Sequence, residues 1–200
     1  MAITNGYATL NEVKAALRIP SADSVDDSLL EMAIESASRL IDGYASRSFY
    51  NAGTAARYFV AESDFYTPLD DVITITEVAT SSDADGQFDV VWQSSDYQTE
   101  PLNNRVDGLV WPTNAIRAVG DFTFPFLGGE ACVRVTGTWG WSAIPIQVKQ
   151  ATIIQASRIF KRLDSPLGVI SGEFGLMRVG TRLDPDVAML VDPFKILRMA

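Results

Sequence analysis

At 200 residues and 47% hydrophobic composition the chain can bury one good core or two small ones, and 20% charged residues with 10% aromatics exclude a disordered polypeptide. A net charge of −9 argues against a domain that grips nucleic acid by its phosphates, though not against a wall along which DNA slides without sticking. With no histidine the commonest general base and metal ligand is missing, and a single cysteine, Cys132, excludes an intrachain disulfide and a cysteine-based zinc site.

The N-terminal MAITNGYATL has neither a basic region nor a long apolar run, so no signal peptide is expected, and no window approaches the ~20 apolar residues of a membrane span. Thr9-Leu10-Asn11-Glu12 reads as a capping box, followed by a short helix with Leu10, Val13 and Leu17 on one face, ended by Pro20. Ser24 is the expected cap of a longer helix reaching about Arg47. Its apolar positions are Val25, Leu29, Met32, Ala33, Ala37, Leu40, Ile41 and Tyr44, with Gly43 a weak point.

From Ala55 the period changes from helical to alternating. Strands are expected at Arg57–Val60, Val72–Val78, Phe88–Trp92, Ala115–Val119 and Cys132–Thr136, with a turn at Ser81–Gly86 and a loop at Asn103-Asn104. Cys132 reads as a small buried strand residue. Pro145 suits the first position of a third helix running to about Leu163, with Lys161 and Arg162 at its negative end. Four glycines between Ser165 and Thr181 forbid a stable helix there, leaving a short strand at Leu176–Val179. Asp184-Pro185 starts a last short helix that Pro193 stops, before the apolar-basic tail Phe194–Met199. The fold class is thus α+β: a small helical core of two N-terminal helices and a third long helix, an antiparallel β-insert, and an extended C-terminal arm with a short helix. The expected boundaries are 1–54 with 139–164 for the helical core, 55–138 for the insert and 165–200 for arm and tail.

Asp83, Asp85 and Asp89 resemble the start of a calcium loop. The glycine falls at position four rather than six, however, and Ser94 stands where a bidentate glutamate belongs, so a hairpin turn is the better reading. The pairs Asp26-Asp27 and Asp184/Asp186 sit where helix starts favour acids, and Asp70-Asp71 has no accompanying histidine or clustered third acid. Trp139 and Trp141 could form a stacking platform, but read better as strand-end aromatics wedged between the insert and the third helix. No phosphate-binding loop, nucleophile triad or dinucleotide fingerprint is present. No catalytic residue, metal or cofactor is expected.

Three stretches together carry a family resemblance. They are Tyr7–Lys14 with Leu17-Arg18-Ile19; Asp26–Leu30 leading to Ile41–Tyr44 and Arg47-Ser48-Phe49; and Gly140-Trp141, Ile144-Pro145, Val148–Ala151 and the Arg158–Asp164 helix end. In order and spacing the chain resembles the head–tail connector (adaptor, or head-completion) proteins of tailed double-stranded DNA phages, with a β-insert longer than in the smallest members. The resemblance implies a structural, non-enzymatic subunit of a dodecameric ring below the portal, at the DNA-exit vertex of the virion. The ring would extend the DNA channel and offer a surface to a stopper or tail-completion protein, while genomic DNA passes without specific binding. The tail residues Phe194, Lys195, Ile196, Leu197, Arg198 and Met199, with no obvious place inside the chain, are expected on the portal. Phe174, Leu176, Met177, Arg178 and Val179 are expected on a neighbouring subunit, and Lys161, Arg162 and the tail arginine toward protein partners. The competing readings are a carbohydrate- or receptor-binding module using Trp92, Trp111, Trp139 and Trp141, and a metal-dependent hydrolase using the aspartates of the calcium-like turn.

Overall fold

The computed structural model describes residues 3–81, 83, 86–106, 108–126, 129–163, 169–172, 175–178 and 183–196. The chain falls into two units, residues 1–50 with 144–200, and residues 51–143. The sequence placed the junctions at 54/55 and 138/139. They shift because the first strand of the insert starts at Asn51 and its last runs to Gly140.

In the first unit the capping box forms as read. The Thr9 hydroxyl accepts from the Glu12 N–H at 3.3 Å, and the Glu12 carboxylate accepts from the Thr9 N–H at 2.8 Å. Helix α1 (Leu10–Leu17) ends at Arg18 in the left-handed region, φ 60°. Helix α2 (Asp27–Ala45) starts later than expected. Asp26, not Ser24, is its cap residue, because the Ser24 carbonyl is engaged by the Asp27 N–H in a preceding turn. The helix stops at Ala45 because Ser46 turns left-handed at φ 56°.

The buried face of α2 is also rotated from the expected one. Leu30, Ala33, Ile34, Ala37, Ser38, Ile41 and Ala45 face inward, whereas Val25, Leu29, Met32 and Leu40 are exposed. Helix α3 (Ile146–Leu163) begins after Pro145, whose carbonyl accepts the Lys149 N–H at 3.0 Å. Ala156 joins Val13, Leu30, Ala33, Ile34 and Ala37 in one core, flanked by Leu10, Leu17, Ile153 and Phe160. Helix α4 (Pro185–Val191) is capped by the Asp184 carboxylate on the Asp186 N–H at 2.8 Å and runs into a 3-10 turn at Asp192–Phe194.

The second unit is one antiparallel sheet. Its strands are β1 (Asn51–Phe59), β2 (Tyr66–Thr80), β3 (Val90–Trp92), β4 (Tyr97–Glu100), β7 (Thr113–Ala118) and β8 (Val133–Gly140), in the order β1-β8-β2-β7-β4, with β3 added beside the end of β2. A separate two-stranded ribbon joins β5 (Arg105–Val106) to β6 (Leu109–Val110). β2 is twice the length read from its β-branched stretch because it serves two partners in succession. It pairs with β7 from Tyr66 and with β3 from Val78, while β8 lies on its other side. Gly137 allows that β8 contact, since a Cβ there would meet the Thr74 carbonyl oxygen at 2.4 Å. The core is Val72, Val78, Trp92, Ile116, Phe124, Val133, Val135 and Trp139, with Cys132 buried among them as expected.

Between α3 and α4, β9 (Val169–Gly172) and β10 (Gly175–Arg178) pair with each other as an antiparallel hairpin, Met177 opposite Ile170. The strand read at Leu176 therefore has a partner within the chain.

Candidate assembly surfaces

Among the described residues no group of three or more carboxylates and thiols could hold a metal ion. Asp83 and Asp89 are exposed, and Asp85 lies outside the described residues. The β unit has a shallow hollow of about 600 Å³ lined by Ile73, Tyr97, Gln98, Thr99, Asn104 and their neighbours, with no carboxylate, amine or thiol among them. The Tyr97 hydroxyl there is held above its usual range by burial. Nothing in this hollow pairs an acid with a base.

The tryptophans are not a platform. Trp92, Trp111, Trp139 and Trp141 are all buried. Trp92 stacks on Phe124 with centroids 4.6 Å apart and donates to Thr80 Oγ1 at 3.1 Å. Trp139 donates to the Ala55 carbonyl at 2.7 Å, under the Arg57 guanidinium. Trp141 donates to Asp71 Oδ2 at 2.8 Å and lies beside Trp111. These partners belong to the β unit. A buried indole whose faces are covered cannot stack on a sugar.

The first two stretches that carry the family resemblance meet in one buried knot in the first unit. The Tyr7 hydroxyl donates to Asp42 and accepts the Phe49 N–H at 2.7 Å, while the Tyr7 N–H donates to Ser38 Oγ at 3.1 Å. Burial, then the bond to Asp42, hold the Tyr7 hydroxyl far above its usual range. Burial likewise raises Asp42, against the opposing pull of Tyr7 and Arg39. Arg39 pairs with Asp42 at 3.0 Å and covers the rings of Tyr7 and Tyr50. The knot fixes the end of α2 against the segment before α1 and is structural in character.

The tail corrects an expectation. Phe194 is not left without a place: it is buried edge-on against Phe49, and the Ile196 N–H donates to the Ala45 carbonyl at 2.9 Å. Lys195 lies over the Tyr44 ring at 4.5 Å, and Tyr44 donates to Asp192 at 2.5 Å. Leu197, Arg198 and Met199 lie outside the described residues, as do Phe174 and Val179 of the arm, while Leu176, Met177 and Arg178 lie in β10. Arg158 of α3 pairs with Asp184 at the start of α4, and Lys161 and Arg162 are exposed.

The sequence missed one surface. Leu29, Met32 and Leu40, read as apolar positions of the helix, form an exposed apolar row on α2 that Val25 continues in the turn before it, and Leu30 and Ile34 take the buried positions. The long edge strand β1 is exposed over most of its length, and Tyr58 on it contacts Phe88, itself under Arg134.

Comparison with curated protein sequences finds no match. Among solved structures the chain is similar to a chain of the neck of an empty gene transfer agent particle computed with C6 symmetry. That likeness has a TM-score of 0.59 at 20% identity, covering 100% of this chain and 95% of the other. It is similar also to a chain of the native particle's neck computed with C12 symmetry, TM-score 0.58 at 19% identity, covering 100% and 94%. A chain of the native gene transfer agent virion matches with the same score and identity, covering 100% and 95%. At such identity these likenesses carry the fold. Residues 7–82 match the family model described as Phage gp6-like head-tail connector protein. That match spans the capping box, the Tyr7–Asp42–Phe49 knot and the first two strands, so the resemblance to head–tail connector proteins read from the sequence is borne out over residues 7–82.

Proposed function

We propose that this chain is a structural subunit of a virion neck, built into a dodecameric ring beneath the portal. The ring extends the DNA channel and links the head to a downstream stopper or tail-completion protein. The observation that carries the reading is the connector-family match over residues 7–82, joined to a fold likeness over the whole chain with proteins of a symmetric neck. The burial of all four tryptophans removes the support of the carbohydrate reading.

In this proposal the hairpin β9–β10 packs on the neighbouring subunit through its outer edges, since its inner edges are already satisfied. Portal docking falls to the tail from Lys195 onward, because Phe194 is committed to Phe49. Electron microscopy of the purified protein, alone and with portal-bearing heads, tests the reading. Twelvefold rings seated on the portal are expected. Particles that assemble intact necks without this chain would sink it.

A further inference from the structure

We propose that the exposed apolar row of α2 is a subunit interface, covered by a second copy of this chain. The inference rests on the ring reading above but names a surface that reading does not specify.

The row consists of Leu29, Met32, Ser36, Leu40 and Gly43, continued by Val25 in the turn before the helix. The spacings of three and four residues place it on one side of α2. Val25 is 85% exposed, Leu29 41%, Met32 52% and Leu40 50%. Charged residues of the helix occupy a separate row, Asp27, Glu31, Glu35, Arg39 and Asp42. A helix with one face buried is expected to give water a polar opposite face; here a second apolar stripe stands beside the first.

Gly43 adds an independent observation. Glycine inside a helix costs about 1 kcal/mol relative to alanine. Nothing among the described residues requires it, because a Cβ at Gly43 would meet no atom of theirs within 4 Å. A residue that weakens its helix without an internal reason fits an external close approach, and it lies on the apolar row.

A second copy supplies the complement. The row starts beside the exposed Asp23 and the half-exposed Asp26, while the exposed Lys161 and Arg162 end α3 on the same unit, and Ile146 and Met189 are exposed apolar residues on its other helices. One chain thus carries an apolar face with an acidic end and, elsewhere, apolar groups and a basic end. Head-to-tail contacts of such unlike patches close into rings. Four apolar side chains are fewer than the roughly 800 Å² per partner of a stable pairwise complex, which suits a face completed by further ring contacts.

The test is sedimentation velocity of the full chain across its accessible concentration range, for wild type, Met32→Glu, Leu40→Glu and Gly43→Leu. Wild type is expected to self-associate, and each variant to do so on the order of tenfold more weakly. Gly43→Leu is the discriminating variant. It should raise Tm, since it improves the helix and its Cβ meets no atom within 4 Å, while weakening association; a purely internal role would not split these readouts. Variants that associate like wild type would overturn the interface and leave the ring intact. Wild type that stays monomeric throughout would also overturn it, while the neck assignment, tested by incorporation into particles, would stand or fall separately.

Discussion

Phe194 stands edge-on to Phe49, ring centroids 5.7 Å apart at 90°, and Phe49 in turn stands edge-on to Tyr7 at 5.7 Å. The end of the described chain therefore closes over the same buried knot that the N-terminal segment forms with α2. Phe194→Ala should cost about 3–5 kcal/mol in urea unfolding, as large-to-small changes at buried aromatics do. A loss below about 1 kcal/mol would mean that the site collapses without it. Truncation after Asp192 is consequently a poor probe of portal docking, because it uncovers Phe49. Truncation after Ile196 keeps the aromatic contact, and should leave a folded chain that no longer joins portal-bearing heads; normal incorporation would remove the tail from the portal interface.

Tyr7→Phe keeps the ring and deletes the hydroxyl that serves Asp42 and the Phe49 N–H. A loss of about 1–3 kcal/mol is expected, the range for leaving buried polar groups without that partner. The Asp42 carboxyl is raised above 3.8 chiefly by burial, so its contribution to stability is complete below 3.8 and is lost as pH rises through the folded value. Because the Tyr7 bond pulls Asp42 downward, the variant should show a higher Asp42 titration midpoint by NMR. An unchanged or lower midpoint would contradict the proposed bond.

Glu12 behaves in the opposite sense. Its bond from the Thr9 N–H, then its bond from Lys149, hold the carboxyl below 4.5. Its contribution is therefore present above 4.5 and is lost as pH falls through the folded value. Glu12→Gln should cost up to about 1 kcal/mol at neutral pH, the scale of a helix cap. The gap to wild type should close in acid. A gap that widens in acid would be inconsistent with the capping box.

The buried tryptophans give a direct check on the carbohydrate alternative. Acrylamide should quench the folded chain's fluorescence several-fold less efficiently than that of the urea-unfolded chain, given the indole contacts with Phe124, Ala55 and Asp71. Glycans should leave the emission unchanged. A saturable shift on adding a glycan would restore the binding-module reading.

How much was legible before the structure follows from what each signal contains. The capping box at Thr9 and the Asp184 cap were readable because both bonds are local. The α+β layout and the hairpin partner of β2 followed from periodicity and turn chemistry. The face of α2 was misread because the helix carries two adjacent apolar rows, and hydrophobic spacing alone does not say which one this chain covers. β1 was half missed since Asn51-Ala-Gly-Thr-Ala-Ala has no β-branched run; its pairing with β8 makes it a strand. The place of Phe194 beside Phe49 is a contact between distant parts of the chain, which no local pattern encodes.

We propose that the channel-facing surface is net acidic and that the duplex touches it only weakly. The chain carries a net charge of −9. Many of its cations are already engaged: Lys14, Arg39, Arg57, Arg117, Arg134, Lys149 and Arg158 each pair with a carboxylate of the same chain. A phosphate would have to break such a pair to release its own counterions, so association gains little from the ionic term that drives non-specific binding. Lys161 and Arg162 are exposed at the end of α3, and we propose that they face protein partners instead. Fluorescence anisotropy with a short duplex at low salt should therefore show weak binding and a shallow dependence of affinity on salt. Tight binding whose logarithm falls steeply with the logarithm of salt concentration would mean that cations line the path of the duplex, and would replace the repelling wall with a gripping one.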